Sequence, residues 1–253
     1  TLTIASTLAW GLGYFGMPHI LLRFMAIEDR EKLKMSRRIA TVWVVISMAV
    51  AVVIGVVGNA VSAAGALDFL GGNTSETIIV RLADLMGKYG VLMAIMCCVI
   101  LSGILSSTMS TADAQLLAAS SAFASDVYKP IIRKNASDKE MLWASRFVVL
   151  AISIIAVLIA SNPNSGTIMG LVENAWGVFG AAFGPTILLS LFWRRFNFQG
   201  AVAGILTGAA VDILWLAFLK DFGLYEIIPG FIASLIVSVV VSLSLLAIFE
   251  GAH

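Results

Sequence analysis

Read from its first residue, the chain alternates long apolar runs with short polar ones. About twenty consecutive apolar residues let a helix cross a bilayer. Seven stretches meet that measure: 2–24, 40–66, 89–124, 141–161, 167–193, 199–219 and 229–249. The third is too long for one crossing and is predicted to tilt or to run on past the membrane surface. The pattern predicts an all-α integral membrane protein. Composition agrees: 60% of the 253 residues are hydrophobic and 12% are charged, against about a quarter charged in soluble domains. The mean hydropathy is +0.98. A water-soluble fold would leave most of that apolar surface with nothing to bury against, so a lipid bilayer is the expected partner and no nucleic acid is.

The basic residues sharpen the picture through where they fall. Arg23, Arg30, Lys32, Lys34, Arg37 and Arg38 follow the first span. Lys129, Arg133, Lys134, Lys139 and Arg146 follow the third, and Arg194 and Arg195 the fifth. The opposite side holds only Arg81, Lys88 and Lys220. Basic loops stay cytoplasmic. The expected topology therefore has an external N-terminus, a cytoplasmic C-terminus and a multi-pass location in a bacterial inner (plasma) membrane. The chain opens at Thr1 inside an apolar run, as expected of a segment with further helices ahead of it.

Small residues recur at helical spacing. Gly200, Gly204 and Gly208 repeat every fourth residue, as do Gly180 and Gly184, and such stripes let helices approach closely in lipid. Cys97 and Cys98 are adjacent within an apolar run and read as packing residues, with no metal-ligand spacing around them.

Two stretches resist a reading as plain membrane helix. The first continues "YGVLMAIMCCVIL" into "GILSSTMSTADAQLLAASSAFASD". Gly103, Ser107, Ser110, Thr111 and Ala114 share one helical stripe. One or two hydroxyls in a membrane helix commonly bond back to a carbonyl one turn earlier. Six polar residues among 106–113 exceed that need, and neutral hydroxyl oxygens suit a hard alkali cation. Both readings stand on spacing alone. Asp113 lies off that stripe, nearer Ser102, Ser106 and Ser120, and is a candidate second cation or proton site. An acid at membrane depth needs a partner or a cavity, which applies equally to Asp212, in mid-span, and to Glu173, at the head of "LVENAWG".

The second stretch is the opening one, "AWGLGYFGMPHIL". Gly11, Gly13, Gly16 and Pro18 predict unwinding over 11–16. Broken backbone at membrane depth is tolerated where it lines a site. Trp10, Tyr14 and Phe15 beside the break suggest a substrate face and gate, with Trp10 and Tyr14 on a central cavity; an interfacial aromatic belt is the other reading.

With "LSSTMSTADAQLLAASS", "AWGLGYFGMPHIL", "AWGVFGAAFGP" and "GLYEIIPGF" in this order, the chain resembles the solute:sodium symporter family over essentially its whole length, and within it the proline-carrying branch. The resemblance implies a LeuT-type fold of two inverted five-helix repeats. Residues 1–193 would be the second repeat and 194–253 two peripheral transmembrane helices, with the N-terminal helices of the same protein as the missing partner. It implies Na+ as coupling ion, held by the Ser110 and Thr111 hydroxyls and the Ser107 carbonyl. It further implies Trp10, Tyr14 and Pro18 at the substrate site and gate, proline or a related zwitterion as substrate, and no cofactor. Met17, Ser106, Ser107, Thr108, Asp113, Glu173 and Asn174 depart from the family pattern and bear on the exact substrate.

Two other classes compete. A symporter-like membrane domain can serve as the sensor of a signalling protein. An intramembrane enzyme is the third class, but Asp113 and Asp212 lie outside aspartyl-protease motifs. The histidines, His19 beside a proline and His253 at the end, give no support to a serine–histidine pair.

Overall fold

The computed structural model describes residues 2–162 and 165–250; His253 lies outside them. Every regular element among these residues is helical. α1 (Leu2–Gly13) ends in a single 3₁₀ turn, Tyr14–Gly16, and α2 (Pro18–Met25) follows. Then come α3 (Lys32–Ala63), a 3₁₀ segment Gly72–Thr77, α4 (Ile78–Gly87), α5 (Val91–Ala122), α6 (Asp138–Ala160), α7 (Ile168–Phe192), α8 (Phe198–Phe218) and α9 (Ile227–Glu250). Six of these helices, α3 and α5 to α9, are long and apolar enough to span a membrane.

The opening stretch 2–24 is therefore not one continuous span. Its break falls at 14–17, later than the glycines predict. Gly11 and Gly13 are helical, Met17 is extended (φ −88°, ψ 111°), and Pro18 starts α2 where its missing N–H is harmless. α5 does run on as expected. After Ala122 the backbone widens into π-type turns over Phe123–Ile132, where Pro130 removes a donor. Together they span 42 residues, which at about 1.5 Å per residue is about twice the hydrocarbon thickness. α4 has no counterpart in the hydropathy pattern: "IIVRLADLMG" is short and amphipathic.

The chain divides into two compact units, residues 1–26 with 169–253 and residues 27–168. In the first, α8 and α9 pair along most of their length. Gly200, Gly204 and Gly208 are buried, and so are Ser234, Ser238 and Ser242 of α9. A Cβ on Gly200 would strike the Ser242 hydroxyl, and one on Gly204 that of Ser238. The seam thus works by having no side chains on α8, as the glycine spacing predicts. Asn197 closes its cytoplasm-predicted end: its Oδ1 caps α8 by accepting from Gly200 N at 2.9 Å, and its Nδ2 donates to Ser242 O at 3.1 Å. α7 adds a small-residue face. A Cβ on Gly180 would lie 2.7 Å from Gly13 Cα, and one on Gly184 would lie 2.6 Å from the Phe231 ring.

In the second unit α3 packs on α4, α4 on α5, and α5 on α6. Gly90 opens α5 at φ 125°, a conformation only glycine takes readily. Ser137 caps α6 by accepting from Glu140 N at 3.3 Å. Glu140 also accepts from Tyr128 Oη at 2.8 Å and pairs with Arg133 at 3.1 Å, pinning the π-type extension to the next helix.

Candidate functional site

The break in the opening segment is built by its neighbours. Gly13 is covered by the Trp176 indole and Gly16 by the Phe179 carbonyl, so no side chain fits at either position. Trp176 Nε1 donates to Trp10 O at 3.0 Å. That carbonyl lies one turn before the helix gives way, where the α-helical ladder loses its own donors. Around it stands an aromatic cluster. Trp10 lies 6.1 Å from Trp176 and 5.7 Å from Tyr225, and Tyr14 meets Trp176 edge-on at 4.9 Å and 86°. These are favourable aromatic geometries. Tyr225 is locked at both ends: its N–H donates to Ser6 Oγ at 3.1 Å and its hydroxyl to Glu173 O at 2.8 Å.

Of the sequence-predicted substrate residues, Trp10 is half-buried within this cluster, whereas Tyr14 and Pro18 are exposed. Trp10 and Tyr14 therefore both pack against Trp176 beside the break. Trp176 and Tyr225 were both visible in the sequence, inside "AWGVFGAAFGP" and "GLYEIIPGF", but nothing in their local pattern points to Trp10.

The hydroxyl stripe lies in the other unit. Ser107, Ser110 and Thr111 are all exposed on α5. Thr111 Oγ1 donates to Ser107 O at 3.2 Å, and Thr108 Oγ1 to Ile104 O at 3.0 Å. Back-bonding thus accounts for the two threonines. It also sets the Thr111 hydroxyl beside the Ser107 carbonyl, two oxygens of the kind a hard cation accepts. Ser110 opens onto a shallow groove of about 390 Å³, lined also by Ser102, Leu105, Ser106, Met109 and Asp113. Asp113 therefore shares a surface with Ser110 as well as with Ser102 and Ser106, and it is exposed. The donor set fits part of a sodium shell, neutral oxygens with one carboxylate nearby.

The two remaining acids differ. Glu173 is half-buried, and Asp212 is completely buried. Glu226, not singled out by the hydropathy pattern because it stands just outside a span, is also buried.

A family model described as the sodium:solute symporter family matches residues 1–208. The chain belongs to that family. It is 45% identical over 236 residues to the high-affinity proline transporter PutP of Bacillus subtilis, covering 93% of this chain and 48% of that protein. It is 43% identical over 244 residues to the osmoregulated proline transporter OpuE of the same organism, covering 96% and 48%. With the sodium/proline symporter of Escherichia coli it shares 42% over 245 residues, covering 95% and 47%. The chain thus spans about half the length of the curated relatives it matches. No solved structure matches. The family is one of symporters and not of enzymes, which removes the intramembrane-enzyme reading.

Proposed function

We propose that this chain is part of a sodium-coupled secondary transporter that imports a small zwitterionic solute, with proline as the substrate. The observation that carries the reading is the set of exposed hydroxyls at 107–111 on a long, membrane-spanning helix, in a chain of the sodium:solute symporter family. Hydroxyls left at the surface of a membrane helix are costly against lipid and become useful only against an ion or a second polar surface. Ser110 and Thr111 supply hydroxyl ligands to Na+, and Ser107 supplies its carbonyl. Asp113 borders the same groove as a second cation or proton site.

The rest of the account follows from this assignment. The fold is of the LeuT type, with residues 1–193 as the second five-helix repeat and 194–253 as peripheral helices. An inverted-repeat transporter places broken helices and ion ligands at the repeat interface. The break at 14–17 then serves as substrate face and gate, with Trp10, Tyr14 and Pro18 around it. The relatives are about twice as long, and their other half supplies the complementary oxygen donors. Sodium binding stabilises the outward-facing state that accepts the solute. The N-terminus of the chain faces outward and its C-terminus the cytoplasm, in keeping with the basic loops.

Proteoliposomes holding the complete gene product test the reading. An inward sodium gradient should drive labelled proline uptake above that of empty vesicles, and a potassium gradient should not. Uptake indifferent to sodium would refute the coupling; sodium-driven uptake of another zwitterion with proline excluded would refute the substrate.

A further inference from the structure

Asp212 sits in the middle of α8 with no exposed surface, and neither of its carboxyl oxygens has a hydrogen-bond partner among the described residues. Glu226, at the start of α9, is 8% exposed, and its Oε1 is equally unpartnered. The two converge. The point that a Cβ on Gly177 would occupy lies 3.2 Å from Asp212 Oδ1 and 3.4 Å from Glu226 Oε1. Gly177 of α7 is itself buried. On the other side, a Cβ on Gly230 would lie 3.2 Å from Asp212 Cβ. Two glycines, on α7 and α9, thus let the backbone close tightly around the acids.

The charged and titratable groups around the pair are few. Glu173 of α7 and Tyr225 are near Glu226, and the Tyr225 hydroxyl is committed to the Glu173 carbonyl. Lys220 reaches Glu226 only electrostatically, from an exposed position after α8. α1 contributes Ser6, whose hydroxyl accepts from Tyr225 N–H. Among the described residues no base pairs with Asp212.

Two ionised carboxylates buried within reach of one point are costly twice over: through desolvation and through mutual repulsion. One occupant relieves both with the least demand on space. A proton on one carboxyl removes a charge, which lifts the repulsion and lowers the cost of burial at once.

We propose that Asp212 and Glu226 form a proton-binding site that carries a single proton at neutral pH. The site locks α7 onto α8 and α9 while the proton is present. It is independent of the sodium assignment on α5 and can be tested without transport.

Infrared difference spectroscopy on this chain in liposomes reads the proton directly, through the carbonyl stretch of a protonated carboxyl. At about pH 7 the wild type should show one such band, which Asp212→Asn abolishes or shifts. Glu226→Gln should do the same, so the result survives if one variant fails to insert. Sodium at constant pH should leave the band unchanged. Absence of any protonated carboxyl that responds to either substitution would overturn the proposal. So would its disappearance on adding sodium, which would make the pair a metal-cation site.

Discussion

The two halves of this molecule treat their apolar surface in opposite ways. In α7 and α9 a third of the most apolar window is buried within the chain, and in α3 and α6 none of it is. The buried faces of α7, α8 and α9 are rich in glycine, alanine and serine, while Trp43, Val45, Phe147 and Ile154 stand exposed on α3 and α6. In water such a difference would mark the second set as unstable. In lipid it does not, because acyl chains solvate a leucine as well as another leucine does. Association there rests on close approach and polar contacts, so the first unit is held by what its helices lack. The lesson for the chemistry is that polar groups have opposite meanings in the two regions. In the α8–α9 seam serine hydroxyls are covered and structural. On α5 the hydroxyls are uncovered, which leaves them available to a ligand.

Substitution on the two glycine-bearing helices should break this comparison most visibly. Gly204→Val drives a branched side chain into the Ser238 hydroxyl and should cost about 3 kcal/mol, as overpacking does. Gly55 on α3 has nothing within 4 Å of its would-be Cβ. Gly55→Ala should change stability by no more than about 0.5 kcal/mol. Unfolding midpoints in mixed micelles measure both. Equal effects would mean that the α8–α9 seam is not what holds the first unit.

A smaller effect sharpens the picture at the break. Trp176→Phe keeps the aromatic body over Gly13 but removes the donor to Trp10 O. It should cost about 1 kcal/mol, the net worth of one hydrogen bond. Amide hydrogen exchange should rise selectively at 14–17. A uniform rise along α1 instead would show that the indole supports the whole helix and not its broken end.

Much of this was legible in the sequence, for reasons that differ by element. The long helices follow from hydropathy because lipid forces every backbone group into a helix. The glycine spacing in α8 predicted a close approach, and its partner could have been read from Ser234, Ser238 and Ser242, which repeat at the same interval. The break was legible only roughly. A glycine signals unwinding and close packing alike, and Gly13 turned out to serve the Trp176 ring while remaining helical. α4 was missed because a ten-residue amphipathic helix with Arg81 and Asp84 leaves too weak a mark in a hydropathy profile. Glu226 was missed because its meaning depends on Asp212, fourteen residues away and brought near it by the turn between α8 and α9. Ser107, Ser110 and Thr111 were legible as a stripe; that α5 presents them at its surface was not, since periodicity does not say which face of a lipid-embedded helix is covered.

The sodium dependence of proline uptake by the complete gene product carrying Ser110→Ala or Thr111→Ala tests the central claim most directly. Because both hydroxyls are exposed, neither substitution should alter expression or the unfolding midpoint. Each removes a ligand to a charged species, worth about 1.5 kcal/mol or more, so the half-saturating sodium concentration should rise about tenfold. An unchanged sodium dependence in both variants, at normal expression, would contradict the assignment of the α5 hydroxyls to the coupling ion.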